Sequence, residues 1–399
     1  MYTSHAQVSS ILPSPVTYVQ REGSFQINQA LTVNPSEINP SLLTQLKELG
    51  TIYHQLRIET NVQNAMLQFK KLENVKQDSY SINVAERITI SYSSDASCYY
   101  AMTSLMQLMK RNENGLSLPM CFVKDYPNFQ WRGLHLDVSR HFFTVEEIKR
   151  FIDLMSYYKF NTFHWHLTDD QGWRIEIKKY PKLTEIGAWR DSTVDNHYTT
   201  VPRTYTKARY GGFYTQEQIK DVVAYAEAKY VTIVPEIEMP GHARAALAAY
   251  PEYSCTGKAQ GVEGLWGIFD DIFCSKPASI QFLKDILDEV IPLFPGQYIH
   301  IGGDEAPKTR WHSCPKCQDI MKENHLKDEH ELQSYFIRQM DAYVTAKGKK
   351  IIGWDEILEG GLSPNAAVMS WRGFDGGLEA AKQGHYVVMT PGSHCYFDH

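Results

Sequence analysis

Residues 133–168 read GLHLDVSRHFFTVEEIKRFIDLMSYYKFNTFHWHLT and contain the first βαβ pattern of the chain. The two ends are short apolar runs typical of buried strands. In the segment between them, apolar residues recur every three or four positions, as on one face of a helix. Thr144 and Glu147 form a capping box at the start of that segment. The stretch therefore predicts a strand, an amphipathic helix and a second strand, the repeating unit of parallel α/β sheets.

The same alternation continues towards the C-terminus. The predicted strands lie at 133–139, 162–168, 231–238, 298–303, 350–357, 367–373 and 386–391. Helical patterns separate most of them, at 144–159, 215–229, 279–291, 331–347 and 375–383. We therefore predict an α/β fold, a (β/α)8 TIM-type barrel of which seven βα units are visible. A doubly wound open sheet is the alternative, and it is disfavoured because no Gly-rich phosphate-binding turn follows any of the strands.

The N-terminal part of the chain has a different sequence pattern. Residues 24–28 and 87–94 show the alternation of strands, and 96–111 carries an apolar helical stripe. Because no convergent set of catalytic residue types occurs here, we predict a small accessory α+β domain over residues 1–124. The Pro- and Asn-containing stretch KDYPNFQWRG marks the junction with a barrel domain over residues 125–399.

The composition excludes several classes of partner. The chain has 399 residues, 43% of them hydrophobic and 22% charged, with a formal net charge of −6. That charge gives no electrostatic reason to bind nucleic acid or an anionic membrane surface. No apolar run reaches the roughly 18 residues that a transmembrane helix needs. The 24 Tyr, 17 Phe and 8 Trp side chains include rings suited to flat, semi-polar ligands such as sugars.

The seven cysteines give limited information about metal binding and about the cellular compartment. The pair Cys314/Cys317 lacks a second CxxC to complete a four-ligand zinc site, so we expect a local disulfide or two inert thiols and no metal. Cys255 and Cys274 bracket a loop and could be bridged, which would fit an exported protein. The chain starts MYTSHAQVSSILPSP, which lacks the features of a signal peptide. We expect a periplasmic or extracellular location, with the leader outside this sequence.

Polar, charged or aromatic residues follow every predicted strand of the barrel. The strand ends read DVSRH, TDDQGWR, EMPGH, GGDE, GWDE, SWRG and HCYFDH. In a barrel these ends meet at one rim, and barrel active sites lie there. The candidate site residues at this rim are Arg140, Asp169, Asp170, His242, Asp304, Glu305, Trp354, Trp371, Tyr396 and Asp398.

Most of these side chains also have a structural interpretation. Asp137, inside a strand, is more readily a structural barrel acid than a catalytic one. Arg140 could pair only with a neighbouring carboxylate, and we expect one of Asp169 and Asp170, rather than both, to face the site. His242 could simply begin a helix, and the two tryptophans could belong to the core.

The adjacent acids Asp304 and Glu305 are the most informative pair. Two opposed catalytic carboxylates stand about 5–5.5 Å apart in retaining glycosidases and about 6.5–9.5 Å apart in inverting ones. Adjacent residues cannot easily flank one bond in that way, whereas a substrate with a 2-acetamido group supplies its own nucleophile. Such an enzyme needs one general acid and one carboxylate that holds the acetamide N–H. We expect Gly302 and Gly303 to loosen the strand so that both acids turn inward.

The sequence closely resembles the family 20 glycoside hydrolases, the β-N-acetylhexosaminidases. The resemblance rests on WRGLHLDVSRHF, NTFHWHLTDDQGWR, PEIEMPGHARAALAAYPE, HIGGDE, GWDEIL and SWRG, which occur in the family order. It extends over roughly residues 12–399, since the N-terminal segment is similar to the accessory domain of that family. The resemblance implies exo-acting release of terminal β-linked GlcNAc or GalNAc from an oligosaccharide or glycoconjugate, with retention. The chemistry requires no metal and no organic cofactor.

The resemblance also implies residue roles. Glu305 would be the general acid/base, Asp304 would position and polarise the acetamido group, and Arg140 would hold the O3 and O4 hydroxyls. Asp169 or Asp170 would form with His242 a polar relay to the acid. The remaining sugar contacts would come from Trp354, Trp371, Tyr396 and Asp398, the first two as walls of the acetamido pocket and Tyr396 as a donor to the acetamido oxygen.

The sequence departs from the family pattern at its end. The eighth βα unit, which carries a sugar-stacking Trp and a hydroxyl-binding acid, is missing, so we expect a truncated chain. Two alternatives stay open. One is a conventional retaining glycosidase with Asp137 or Glu236 as nucleophile. The other is a non-catalytic carbohydrate-binding protein or an inactive fragment of such an enzyme.

Overall fold

The computed structural model describes residues 9–113 and 115–397 and divides the chain into two compact units. The first unit runs to Arg132 and includes Arg150–Asn161 and Glu227–Val231. The second consists of Gly133–Lys149, Thr162–Ala226 and the chain from Thr232 onward. Every candidate site residue belongs to the second unit.

The first unit is an α+β domain built on one mixed sheet. Its elements are β1 Thr17–Ile27, β2 Ala30–Val33, α1 Pro40–His54, β3 Arg57–Thr60, β4 Leu67–Lys71, β5 Tyr80–Val84, β6 Ile88–Tyr92, α2 Asp95–Leu108, β7 Lys110–Asn112 and β8 Gly115–Asp125. The strand order is β1-β8-β5-β6-β4-β2-β3, with β7 on β8. The apolar stripe of α2 is buried against this sheet and α1, because its side chains recur at helical spacing. The predicted α+β character is therefore confirmed.

Strands and helices alternate after residue 132. The longer elements are β9 Gly133–Asp137, α3 Val145–Tyr157, β10 Thr162–His166, then, after a connection described below, α5 Gln216–Glu227, β17 Thr232–Glu236, α6 Arg244–Ala249, α7 Pro277–Val290, β18 Tyr298–His300, α8 Thr309–Ser313, α9 Pro315–Glu323, α10 Glu329–Ala346, β19 Lys350–Trp354, β20 Ala367–Ser370, α11 Asp375–Lys382, β21 Val387–Met389 and α12 Gly392–Cys395. All seven predicted strands are present. Among the described residues, no helix combines the length and apolar character needed to cross a bilayer.

The connection between β10 and α5 is built from small hairpins. It contains β11 Thr168–Asp169, β12 Gly172–Trp173, α4 Lys182–Glu185, β13 Trp189–Arg190, β14 Thr193–Val194, β15 Tyr205–Thr206 and β16 Tyr210–Gly211. The strands pair as β11–β12, β13–β16 and β14–β15. The sequence analysis predicts no element between residues 168 and 215, because two-residue strands leave no periodic pattern.

The seven long strands form one parallel sheet in the order β9-β10-β17-β18-β19-β20-β21. Every neighbouring pair is parallel and the order follows the chain without a reversal. A doubly wound sheet reverses its strand order at a switch point, so this topology excludes the alternative. The carboxyl ends of all seven strands consequently lie along one edge, as they do at the rim of a barrel.

Two of the helices that connect strands of this sheet begin with the reciprocal hydrogen bonds of a capping box. The backbone N–H of Thr144 donates to Glu147 at 2.7 Å, and the N–H of Glu147 donates back to the Thr144 hydroxyl at 3.3 Å. Thr215 and Gln218 make the same reciprocal pair at 2.9 and 3.2 Å. These boxes fix where α3 and α5 begin, and so set the lengths of the loops that leave the strand ends.

Candidate active site

The chain turns sharply between β18 and the adjacent acids. Gly302 and Gly303 have φ of +67° and +97°, and Glu305 has φ of +42°. A Cβ on Gly302 would lie 1.7 Å from a Glu238 carboxylate oxygen, and one on Gly303 would lie 2.5 Å from Ile357 Cγ2. Glycine is therefore required at both positions, by the left-handed backbone and by the lack of space.

We predict that Gly302→Ala destabilises the protein more than Gly348→Ala. Both residues have positive φ, which costs a non-glycine residue about 1–3 kcal/mol, but nothing lies within 4 Å of the Cβ position at Gly348. Only the first substitution adds a clash with Glu238. Urea unfolding of the two variants measures the difference, and equal losses would contradict the assigned role of the Gly302 contact.

Both adjacent acids reach the same histidine. His242 Nε2 lies 3.4 Å from Oδ2 of Asp304 and 3.4 Å from Oε2 of Glu305. The Asp304 side chain is 16% exposed and that of Glu305 is 32% exposed, so each carboxylate is partly open to solvent. The turn at the two glycines therefore brings neighbouring side chains to one point, which a regular strand would not do.

The other ring nitrogen of His242 binds a second pair of acids. Nδ1 lies 2.9 Å from Asp170 Oδ2 and 3.1 Å from Asp169 Oδ1, so both aspartates contact the ring rather than only one. Burial opposes the protonation of His242, but Asp169 and Asp304 outweigh it and raise its pKa well above the usual value. His242 is therefore a buried cation between two pairs of carboxylates.

Arg140 contacts Asp169 on the side away from His242. Its Nη2 lies 2.7 Å from Asp169 and its Nη1 lies 2.8 Å from Asp137, while Nε donates to Gln171 at 2.8 Å. The guanidinium also stands 4.8 Å from the centre of the Trp266 ring. These contacts use three of its five N–H groups, which leaves two to donate elsewhere. Arg140 thus pairs with carboxylates, as its structural interpretation expected, and keeps donors for a ligand.

Glu236 lies in a buried cluster beneath the rim. Strand register aligns it with His166 on β10 and His300 on β18. Its carboxylate lies 2.5 Å from His166 Nδ1, 2.8 Å from His164 Nε2 and 2.8 Å from His300 Nδ1. Burial raises the pKa of Glu236, but these histidines lower it well below the usual value. The carboxylate is ionised and fully buried, so it is poorly placed to attack a sugar.

Trp354 belongs to the same cluster. It is 6% exposed, its indole N–H donates to Glu236 at 2.8 Å, and its ring meets His300 edge-on at 4.8 Å. The structure thus places most of this ring in the core, so its assignment to the acetamido pocket stays a prediction.

An open cleft of about 480 Å³ adjoins Glu305. Glu305, Glu356 and Trp371 line it. The Trp371 indole N–H donates to Glu356 at 3.0 Å, and its ring stacks on Tyr396 at 6.3 Å with an interplanar angle of 18°. Asp398, the last predicted site residue, lies outside the described residues. Trp371 and Tyr396 thus form an aromatic wall beside the catalytic candidates.

Glu356 was not among the sequence candidates. It is the last residue of the motif GWDE at the end of β19, as Glu305 is the last residue of GGDE after β18, and this parallel between the two motifs was the available signal. Burial and the charge of Asp304 raise the pKa of Glu356 to about 8. Glu238, with both carboxylate oxygens buried, and Trp266, over Arg140, were also missed. Glu238 ends the predicted strand at 231–238, whereas Trp266 lies in a loop without periodicity.

The raised pKa of Glu356 has a measurable effect on stability. The folded state holds this proton up to about pH 8, whereas an unfolded glutamate releases it near 4.3, so wild-type stability falls as the pH rises through that window. Glu356→Gln removes this loss. We expect the variant to gain on the order of 4 kcal/mol relative to wild type between pH 5 and pH 9, measured by chemical unfolding. If the free energy of unfolding depended on pH in the same way for the two proteins, the raised pKa of Glu356 would be refuted.

Family models match nearly the whole chain. Residues 129–399 match the model described as glycosyl hydrolase family 20, catalytic domain, and residues 8–126 match the model of domain 2 of the same family. The chain belongs to glycosyl hydrolase family 20. The resemblance inferred from the sequence motifs is therefore confirmed.

Curated relatives named beta-hexosaminidase support the same assignment. The chain is 45% identical over 407 residues to a beta-hexosaminidase of Porphyromonas gingivalis and 36% identical over 400 residues to one of Vibrio furnissii, in each case over 98% of its own length. These alignments cover 51% and 64% of the two relatives. The chain thus spans about half to two thirds of the length of these curated proteins.

Solved structures of family 20 enzymes share the fold. A GH20 exo beta-N-acetylglucosaminidase from Vibrio harveyi, in complex with N-acetylglucosamine, is 36% identical with a TM-score of 0.85, over 96% of this chain and 60% of that one. A beta-N-acetylhexosaminidase from Bacteroides fragilis is 35% identical with a TM-score of 0.81, over 95% and 74%. The predicted TIM-type barrel with a preceding α+β domain is thereby confirmed.

Proposed function

We propose that this chain carries the active site of an exo-acting β-N-acetylhexosaminidase that releases terminal β-linked GlcNAc or GalNAc with retention. The observation that carries the proposal is the position of Asp304 and Glu305, both 3.4 Å from one nitrogen of His242. Two carboxylates at one point cannot stand on opposite faces of a glycosidic bond. They suit a reaction in which the substrate's acetamide oxygen is the nucleophile.

In the first step, Glu305 donates a proton to the glycosidic oxygen while the acetamide oxygen attacks C1. The C1–O bond breaks and a cyclic oxazolinium ion forms. Asp304 accepts a hydrogen bond from the acetamide N–H, which orients the oxygen for attack and stabilises the positive charge that develops on the ring. In the second step, Glu305 takes a proton from water, which opens the ring at C1. Two inversions give net retention.

His242 acts as a positioning residue for both acids. Its cation lies between the Asp304/Glu305 pair and the Asp169/Asp170 pair, and so offsets part of the repulsion among these carboxylates. Arg140, anchored by Asp169, would use its two remaining N–H groups on the O3 and O4 hydroxyls of the sugar. Holding the ring in this way places C1 beside the two acids.

The aromatic wall completes the subsite. Trp371 lines the cleft together with Glu305 and Glu356, and Tyr396 stacks on the Trp371 ring. Flat aromatic faces suit the methyl and ring C–H groups of an N-acetyl sugar. Below about pH 8, a neutral Glu356 avoids adding another negative charge beside Asp304. The aromatic faces therefore favour a sugar with a partly apolar N-acetyl group.

The rival nucleophiles fit less well. Glu236 is enclosed by three histidines and Trp354, and no ring carbon could approach it without unfolding the cluster. Asp137 accepts from the backbone N–H groups of Ser139 and Arg140 at 2.9 Å each and from the Arg140 guanidinium at 2.8 Å. These three contacts stabilise its charge and use most of its acceptor sites, as expected for a structural acid.

A pair of aryl glycosides tests the proposal. We expect the protein to hydrolyse an aryl β-N-acetylglucosaminide and to release the β-anomer first, as seen by proton NMR. The aryl β-glucoside, which lacks the acetamide, should be hydrolysed at least about 10³-fold more slowly, because the internal nucleophile is lost. Comparable rates on both substrates would favour a conventional nucleophile. Binding of GlcNAc in calorimetry without turnover would favour a non-catalytic binding protein.

A further inference from the structure

Four cysteines from distant parts of the sequence meet in the catalytic unit. The sulfur atoms of Cys255, Cys274, Cys314 and Cys317 all lie within 4.8 Å of one another. Three of these residues are buried and Cys255 is partly buried. The contacts Cys255–Cys317, Cys274–Cys317 and Cys274–Cys314 measure 3.7, 3.6 and 3.9 Å. We call these four residues the cysteine cluster.

The local fold holds the cysteine cluster together in two pairs. Cys255 and Cys274 each adjoin an isolated antiparallel bridge between Ser254 and Phe273. Cys314 and Cys317 lie at the start of α9, which begins one residue after Cys314. The indole N–H of Trp311 donates to the carbonyl of Phe273 at 2.8 Å, which ties the second pair to the first. A backbone bridge and an indole hydrogen bond, rather than sulfur contacts alone, therefore hold this geometry.

The sulfur separations match a tetrahedral metal site. A disulfide bond is about 2.05 Å long, so none of the three contacts is one. Four thiolates about 2.3 Å from a central zinc ion are about 3.8 Å apart along each edge of the tetrahedron. The three separations lie on both sides of that value. Unbonded thiols gain little from such packing, because S–H groups are weak donors and acceptors.

We propose that the cysteine cluster binds one zinc ion as a closed structural site. Soft thiolate ligands in a tetrahedral set select zinc over harder cations such as magnesium and calcium. This departs from the expectation drawn from the sequence, which looked for a second CxxC to accompany Cys314/Cys317 and predicted no metal. The partners are instead two single cysteines, 19 residues apart, which the fold brings to the CxxC pair.

The zinc would stabilise the loops that carry the catalytic candidates. Cys255 and Cys274 lie in the chain between β17 and β18, and the other pair follows β18. The backbone N–H of Phe273 donates to the carbonyl of Pro240 at 2.9 Å, two residues before His242. With four protein ligands no coordination position is open for substrate, so the ion takes no part in bond cleavage.

Metal analysis of the full chain tests this proposal independently of its activity. We expect the protein, purified with a thiol reductant and without chelator, to contain one zinc per chain by mass spectrometry of the elements. Addition of a mercurial reagent should release that zinc to a colorimetric dye as four thiols are consumed. Replacement with Co²⁺ should give the visible absorption of tetrahedral cobalt with thiolate-to-metal charge transfer. Removal of zinc should lower the melting temperature.

Two matched Cys→Ser variants show whether the cysteine cluster, rather than another cysteine, binds the zinc. Cys317→Ser should reduce the zinc content well below one per chain and abolish the cobalt thiolate spectrum, whereas Cys395→Ser, at an exposed cysteine outside the cluster, should leave both unchanged. If Cys317→Ser fails to fold, the cobalt spectrum of the wild type still decides. A folded wild type that takes up no zinc after reduction and reconstitution would overturn the proposal. So would iron in place of zinc, or disulfides among the four cysteines in the protein prepared with reductant.

Discussion

Glu305→Gln is expected to lower kcat by about 10³-fold on an N-acetylglucosaminide with a poor leaving group, such as a disaccharide, because the amide cannot donate the proton that the departing oxygen needs. On an aryl glycoside with a strongly acidic phenol, the loss in the bond-cleavage step should be much smaller, since that leaving group departs without protonation. The values of kcat/KM on the two substrates measure the contrast, because they report the bond-cleavage step and not the later attack of water.

The control for this variant is Glu379→Gln, which makes the same chemical change at an exposed position on α11. It should leave kcat on both substrates within about two-fold of wild type. Near wild-type turnover of the disaccharide by Glu305→Gln, or equal losses of kcat/KM on the two substrates, would remove Glu305 from the role of general acid.

Asp304→Asn has the second large effect. We expect kcat on 2-acetamido substrates to fall by about 10²–10³-fold, the range seen when one electrostatic contact to a transition state is lost. The amide has the shape of the carboxylate but carries no charge to stabilise the oxazolinium ring. The Asn side chain can also place its NH₂ group against the acetamide N–H. Because both groups are donors, they repel each other, and the acetamide then turns away from C1.

The substrate without an acetamide is the control for Asp304. The slow hydrolysis of the aryl β-glucoside does not use the acetamide, so Asp304→Asn should change that rate little. If both rates fell in proportion, the loss would reflect a general disturbance of the site, for example of His242, whose Nε2 lies 3.4 Å from Asp304. The ratio of the two rates therefore separates acetamide positioning from structural damage.

Much of the barrel could be predicted from local sequence. Each strand of the sheet is a short apolar run, and the helices between strands begin at capping residues or show a clear apolar face, so period and caps located them. The short connections escaped prediction. Two-residue strands such as β11 and β12 are held by the loops around them, and neither propensity nor periodicity marks them.

Parts of the site that depend on strand register or loop path could not be predicted. The position of Glu236 within a histidine cluster follows from the alignment of β10, β17 and β18, which a single sequence does not specify. The cysteine cluster depends on the folding of two loops onto each other. By contrast, Asp304 and Glu305 were found because two glycines and two acids at one strand end have no common structural explanation.

The central claim is that the acetamide oxygen is the nucleophile, and a series of aryl N-acetylglucosaminides with zero to three fluorines on the acetyl methyl group tests it most directly. Each fluorine withdraws electrons from the oxygen while changing the size of the group little. If that oxygen attacks C1, kcat/KM should fall steeply with every fluorine added, by orders of magnitude across the series. Rates that stay constant from the acetyl to the trifluoroacetyl substrate would contradict the claim.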